Sequence, residues 1–395
     1  MRSDARTVRA LRIRAARRAV GCVLGVGLLT ACGADDPPVD ASASAAPIAP
    51  SALPSQTASS EATDAGVTGR VIAPRVTGDV VTGLRSPWSI AFLPGGDALV
   101  SQRDERSVVR VTAGGDVIEV GEVPGVEPGG EGGLLGLAIS PDFETDQFVY
   151  AYFTAESDNR IVRMTYNGSA LGEPEVVLDG IAKAGIHNGG RIIFGPDGML
   201  YAGTGDAGQS DRSQDMDSLN GKILRVAPDG SVPPDNPYGN PVWSYGHRNV
   251  QGLGFADDGR LWASEFGQST WDELNLVERG SNYGWPVAEG QAGADGMVDP
   301  VEQWSTDDAS PSGLAVVDNQ VFMAALGGER LWHIPAPGTS TSLEPVAYFL
   351  EDYGRLRDVV EAPDGSLWVL TSNTDGRGIV REGDDRILRV ERTRG

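Results

Sequence analysis

Arg191-Ile192-Ile193-Phe194-Gly195-Pro196-Asp197-Gly198 is a short apolar run that stops at a Pro-Asp-Gly corner. Its length and its β-branched and aromatic content are those of a buried strand. The corner has a physical cause, because Asp and Gly tolerate the positive φ that a tight hairpin needs. Further on, Lys222-Ile223-Leu224-Arg225-Val226 is another apolar run, with basic residues in it. The same unit recurs on both sides. Residues 89–96 open a unit that closes at 108–111, and residues 135–142 open one that closes at 161–164. After the quoted stretch, 252–259 closes at 273–276, 313–319 at 330–334, and 358–365 at 386–390. The starts lie roughly 45–60 residues apart, the period of propeller blades of four strands each. No stretch reads as a long amphipathic helix. The fold class is therefore all-β, a six-bladed β-propeller of four-stranded antiparallel blades. A pair of β-sandwiches is the rival, and it leaves six copies of one unit unexplained. The arginines that end the closing runs, Arg110, Arg163 and Arg225, read as edge-strand charges.

Directly before the quoted strand stands Ile186-His187-Asn188-Gly189-Gly190. The two glycines let another backbone or a ligand approach closely. The chain has three histidines, His187, His247 and His333. His333 lies in an apolar blade strand and reads as structural, and His247 reads as holding the loop that carries Arg248. Asp206 follows the next strand. A histidine base, a carboxylate to orient it and nearby arginines suit proton abstraction beside an anion or a developing negative charge. Other Gly-rich, charged segments are 131–136, 203–208, 245–249, 265–273 and 355–358. Most fall where an innermost strand begins or ends, which gathers them at the propeller axis. Converging arginines imply an anionic ligand. An acidic, Gly-containing loop implies a hard cation held by oxygens.

The chain carries a net charge of −23. Residues 1–31 hold seven arginines and one aspartate, so removing them takes the charge to −29. Such a surface excludes nucleic acid and anionic lipid as direct partners. Residues 1–31 read as a signal peptide: arginines up to Arg18, an apolar run too short for a membrane span, then Leu29-Thr30-Ala31-Cys32. The pattern resembles a bacterial lipoprotein signal, with Cys32 acylated and the protein extracytoplasmic, touching the membrane only through that anchor. Cys22 lies inside the signal, so the mature chain has no disulfide and no thiol nucleophile. Residues 32–70 are Ala/Ser/Pro-rich without aromatics and read as a disordered tether. The propeller domain is expected over 71–395. No dinucleotide fingerprint, P-loop, nucleophile elbow or zinc helix motif is present.

Five motifs carry a resemblance over about residues 80–390. They are Gly133-Leu134-Leu135-Gly136 with Pro141-Asp142-Phe143; His187-Asn188-Gly189-Gly190-Arg191; Tyr245-Gly246-His247-Arg248-Asn249 with Gln251-Gly252-Leu253; Asn282-Tyr283-Gly284-Trp285-Pro286; and Arg355 with Arg357-Asp358. In this order the chain resembles the soluble aldose sugar dehydrogenases that use pyrroloquinoline quinone (PQQ), the glucose/sorbosone dehydrogenase family. The resemblance implies a PQQ- and Ca²⁺-dependent oxidation of an aldose C1 hydroxyl to the lactone, with electrons passed to an external acceptor. It implies that His187 is the general base and that Asp206 holds it. Arg248 and Asn249 would contact the quinone oxygens, and Arg355 and Arg357 the cofactor's carboxylates. The carbonyls of Gly267 and Gln268 would bind the Ca²⁺ that polarises the quinone. Asp272, Glu273 and Tyr283 fall near a second, structural calcium site. Two positions depart from the pattern. Glu131 stands where the glucose dehydrogenases have a cofactor-contacting glutamine. Residues 325–330 lack a lysine that relatives place on the cofactor, with Arg330 the available substitute. Two other readings stay open: a calcium-dependent lactonase on the same fold, and a propeller that only binds a sugar or a protein.

Overall fold

The apolar runs become the first three strands of each repeat, and six four-stranded antiparallel sheets form a six-bladed β-propeller. The computed structural model describes residues 72–335 and 344–394. The expected signal peptide, Cys32 and the tether lie outside the described residues. The first strands of the six blades are Pro87–Phe92, Leu134–Ile139, Ile192–Phe194, Val250–Phe255, Pro311–Val317 and Leu356–Glu361. They pack against their counterparts in neighbouring blades around the axis. Among the described residues, helix is limited to the single turns Phe143–Asp146 and Ser210–Ser213. No helix there is long and apolar enough to cross a membrane.

The core explains why the inner strands read as nearly unbroken apolar runs. Successive side chains of a strand point to opposite faces, and here both faces meet a neighbouring blade. In Phe148–Thr154, Val149, Ala151 and Phe153 pack toward the first blade. Tyr150 and Tyr152 from the same strand pack toward the third. One such apolar layer fills each gap between blades.

The Asp-Gly corners do what their chemistry allows. Gly198, Gly259 and Gly365 sit at φ of +74°, +84° and +81°. The preceding aspartates each accept a backbone N–H two residues on: Asp197 from Met199, Asp258 from Arg260 and Asp364 from Ser366. The arginines of the third strands correct the edge-charge expectation. A fourth strand covers them, and they reach back to the corner aspartate of their own blade. Arg110 lies 3.6 Å from Asp97, and buried Arg225 lies 2.9 Å from Asp197. Arg389 pairs with Asp364 in the same way. Arg163 instead pairs with Glu175 on its fourth strand.

The ring closes with a strand the repeats did not reveal. Ile72–Val81 pairs with Ile387–Arg394 as the outermost strand of the sixth blade. The first-made part of the domain thereby completes the last-made sheet.

At the axis, Arg191 of the third blade meets Asp358 of the sixth at 2.8 Å, both buried. Arg191 Nε also donates to the Gln251 carbonyl of the fourth blade, and Nη1 to Ser89 of the first. Asp358 accepts the N–H of Ile90 and of Val359. Its Oδ1 lies where a Cβ on Gly313 of the fifth blade would come within 2.0 Å, so only glycine fits there. Arg191→Met leaves a buried aspartate without its cation, which costs about 3–5 kcal/mol. Urea unfolding should show that loss as a lower midpoint at unchanged slope; a shift worth under about 1 kcal/mol would refute the axial role.

Candidate active site

The loop before the third blade's first strand is fixed from several directions. Tyr152 donates its hydroxyl hydrogen to the Asn188 carbonyl, and Asn249 Oδ1 accepts the Gly189 N–H. His187 takes a positive φ of 54°, strained for a residue with a Cβ. Its N–H donates to Glu131 Oε2 at 2.8 Å and its carbonyl accepts the Ala207 N–H. A Cβ on Gly205 would stand 2.0 Å from the His187 carbonyl oxygen, so that residue must be glycine. The backbone is thus set to project the imidazole.

His187 Nδ1 lies 2.7 Å from Asp206 Oδ1. A carboxylate only accepts, so Nδ1 carries the hydrogen, and in the neutral imidazole the lone pair is on Nε2. Nε2 has no partner among the described residues. Asp206 is buried, accepting also the Gly208 N–H at 2.7 Å and the Trp285 indole N–H at 3.0 Å. Burial works against its charge, but His187, Gly208 and Trp285 together hold the carboxyl below its ordinary range. Arg248 lies 5.5 Å from the Trp285 ring centroid and donates to the Phe266 carbonyl.

Bordered by the same Glu131 that holds the His187 N–H is a cleft of about 450 Å³, counting its open mouth. Arg103, Arg355, Arg357 and Arg377 line it, with Trp88 and two carboxylates, Glu131 and Asp375. Asp375 Oδ2 takes Arg355 and Arg357 at 3.3 Å each. Burial pushes the Arg357 guanidinium down to about 9, against the pull of Asp375. The buried Nε atoms of Arg248, Arg355 and Arg357 have no hydrogen-bond partner. Such donors suit an anionic acceptor, although the axial Arg191 Nη2 and the third-strand Arg110 Nε are also without a hydrogen-bond partner. Glu131 does not repel such a ligand freely: Oε1 is paired with Arg377 at 2.9 Å while Oε2 holds the His187 backbone. Arg330 does not replace the missing lysine. Its guanidinium is tied to the Gly328 carbonyl, to Asp308 and over Trp332, and Leu326 lines the cleft instead.

The expected metal ligands divide. The carbonyls of Gly267 and Gln268 accept no hydrogen bond among the described residues, which leaves them free for a cation. Asp272 and Glu273, adjacent on the strand Trp271–Val277, point to opposite faces. Asp272 accepts the N–H of Gly267 and of Ser310. Glu273 accepts the Gly290 N–H and the Asn275 amide. Tyr283 donates to the Leu276 carbonyl and stacks on His247 at 4.7 Å. Among the described residues no three histidine, cysteine or acidic side chains converge to hold a metal ion. His247 is wholly buried between Glu265 and Ser244, which fits its loop-holding role. His333 stacks on Phe322 at 4.7 Å and bonds Gln320, as a structural histidine does.

The sequence pattern missed Arg103, Arg377, Asp375 and Trp285 as site residues. Only Trp285 lay in a motif, and nothing in the spacing marked its indole as a donor to Asp206.

The propeller axis thus gathers a histidine–carboxylate pair and an arginine-walled cleft that share Glu131. The chain belongs to the glucose/sorbosone dehydrogenase family, whose model matches residues 84–381. The aldose sugar dehydrogenase YliI of Escherichia coli is 30% identical over 74% of this chain and 89% of its own length. Quinoprotein glucose dehydrogenase B of Acinetobacter calcoaceticus is 33% identical over 53% of this chain and 52% of its own length. Among solved structures, the PQQ-bound form of aldose sugar dehydrogenase from Streptomyces coelicolor is 59% identical, with a TM-score of 0.80. That match covers 82% of this chain and 99% of the other.

Asp375→Asn removes the carboxylate that Arg355 and Arg357 share. Thermal unfolding of the ligand-free protein should fall by an amount on the order of 3 kcal/mol. An unchanged transition would mean that the arginines tolerate one another without it.

Proposed function

We propose that this protein is a PQQ- and Ca²⁺-dependent aldose dehydrogenase that oxidises the C1 hydroxyl to the lactone. One observation carries the reading. His187 Nε2 is left free by the Asp206 bond, at an axis where Arg248, Arg355 and Arg357 each keep an orphaned buried donor. The relatives named for aldose sugar and quinoprotein glucose dehydrogenation support it. When bound, the quinone supplies the hydride acceptor and Ca²⁺ the Lewis acid that polarises it.

The chain's own residues do the rest. Arg355 and Arg357 hold the cofactor's carboxylates, with Arg103 adding positive charge to the same wall. Arg248 and Asn249 would contact the quinone oxygens, where Arg248 would supply positive charge. The carbonyls of Gly267 and Gln268 hold the calcium. His187 Nε2 takes the C1 hydroxyl proton as the C1 hydrogen leaves with its electron pair. Asp206 keeps Nδ1–H oriented and stabilises the imidazolium that results. Trp285 adds a third donor, after His187 and Gly208, to those that favour the anionic Asp206. Neither a lactonase nor a binding-only propeller gives the three orphaned arginine donors and the free imidazole nitrogen a joint use.

In the same reading the propeller domain, residues 71–395, is exported and lipid-anchored at Cys32 through the tether. An external electron acceptor then reoxidises the cofactor.

The test is dye-linked oxidation of a panel of aldoses by the purified domain, with and without PQQ and Ca²⁺. Activity should require both. His187→Ala should lower kcat by about 10²–10⁴-fold while PQQ still binds. Full activity in that variant would remove His187 as the base, and absence of PQQ binding to the wild type would end the dehydrogenase reading. Trp285→Phe gives a pH readout. Losing the indole donor raises the Asp206 carboxyl, which then holds the His187 proton more tightly. The acid limb of kcat/KM should move to higher pH, and a shift to lower pH would contradict the arrangement.

A further inference from the structure

Glu289 stands in none of the five motifs, yet one of its oxygens collects four consecutive backbone donors. Oε1 accepts the N–H of Gln268, Ser269, Thr270 and Trp271 at 2.8, 3.3, 3.3 and 3.2 Å. Asp272 Oδ1 takes the N–H just before them, that of Gly267, at 2.9 Å. A trans peptide points its C=O opposite its N–H. Each N–H drawn to a carboxylate therefore turns the preceding carbonyl the other way. The first peptide of the series shows which way that is. Its N–H is on Asp272, and its carbonyl, that of Phe266, accepts Arg248 Nη1 in the site at 3.3 Å. The next two carbonyls are those of Gly267 and Gln268, and no donor among the described residues meets either. Two adjacent carbonyls without donors, both turned from the same carboxylate, can supply two of the roughly six to eight oxygens that a calcium ion takes.

We propose that Glu289 is a positioning residue for this cation. It gathers the N–H ends of residues 268–271 so that the Gly267 and Gln268 carbonyls stand aimed before Ca²⁺ arrives. Its negative charge also lies close enough to act on Arg248. Preorganisation of this kind removes from binding the work of turning two peptide planes. The inference rests on the calcium reading above and goes beyond it by naming what builds the site.

The experiment reads binding rather than turnover. PQQ is titrated into apo wild type, Glu289→Gln and Glu289→Ala, with tryptophan quenching as the signal, across a series of Ca²⁺ concentrations. In wild type, PQQ affinity should tighten as Ca²⁺ is added. In Glu289→Ala the Ca²⁺ concentration for half of that tightening should rise about 10–100-fold, the usual effect of removing a group that orients metal ligands. Saturating Ca²⁺ should then restore wild-type PQQ affinity. Glu289→Gln, which keeps an acceptor oxygen, should fall between. PQQ affinity that is lower in Glu289→Ala at every Ca²⁺ concentration, and not restored, would show mere loop damage and overturn the proposal. An unshifted Ca²⁺ midpoint would overturn it too, leaving the calcium reading intact. Wild-type PQQ binding indifferent to Ca²⁺ would instead end the calcium reading, and the proposal with it.

Discussion

The Arg191–Asp358 pair at the axis is the contact on which the ring depends. A propeller has no single central core; its apolar layers lie between blades, and each layer joins only two neighbours. The axial pair joins the third blade directly to the sixth and, through its other hydrogen bonds, engages the first and fourth. Burial pushes the Asp358 carboxyl up, against the pull of Arg191. A pair this deep contributes little net stability relative to a well-packed apolar substitute, but it is severe to break. What it supplies is geometry: it fixes how far the first strands stand from one another. The loops that hold His187, Arg248 and Arg355 all hang from those strands, so the same pair sets the dimensions of the site.

Charge in the site follows one rule on both flanks. Each buried cation or anion is partly satisfied by protein and partly left open. Asp375 meets two arginines but leaves their Nε atoms without partners. Asp206 uses its oxygens on His187, Gly208 and Trp285 and leaves Nε2 of the imidazole free. Glu131 shows how a departure from a family pattern can be absorbed. Its carboxylate is shared between Arg377 and a backbone N–H that a glutamine could also meet. The residue therefore supports the strained backbone of His187 as much as it borders the cleft.

The parts legible in the sequence were those whose environment leaves a local trace. First and second strands are buried on both faces, so Leu134–Ile139 or Leu367–Thr371 shows as an apolar run. Corner aspartates and glycines are dictated by φ. Outer strands were not legible, because one side meets water: Val117–Glu122 is mostly exposed and mixed in character. The closing strand Ile72–Val81 carries a proline and a glycine and resembles the tether before it. Among site residues, His187, Arg248, Arg355 and Arg357 sat in motifs. Asp375, Arg377, Arg103 and Glu289 sat in polar loops of a very acidic chain, where a charged residue looks like solvated surface. The third-strand arginines misled for the opposite reason, since charge at a strand end suggests an edge when the true partner lies across a hairpin.

The closure by Ile72–Val81 sets an order of events during biogenesis. That strand leaves the ribosome before the other strands of the propeller, and its partner Ile387–Arg394 after all of them. The sixth sheet, and with it the wall that carries Arg355 and Arg357, cannot be completed until that last strand has been made. A nascent or prematurely terminated product would expose an unpaired strand and an open ring, a form that quality control can recognise.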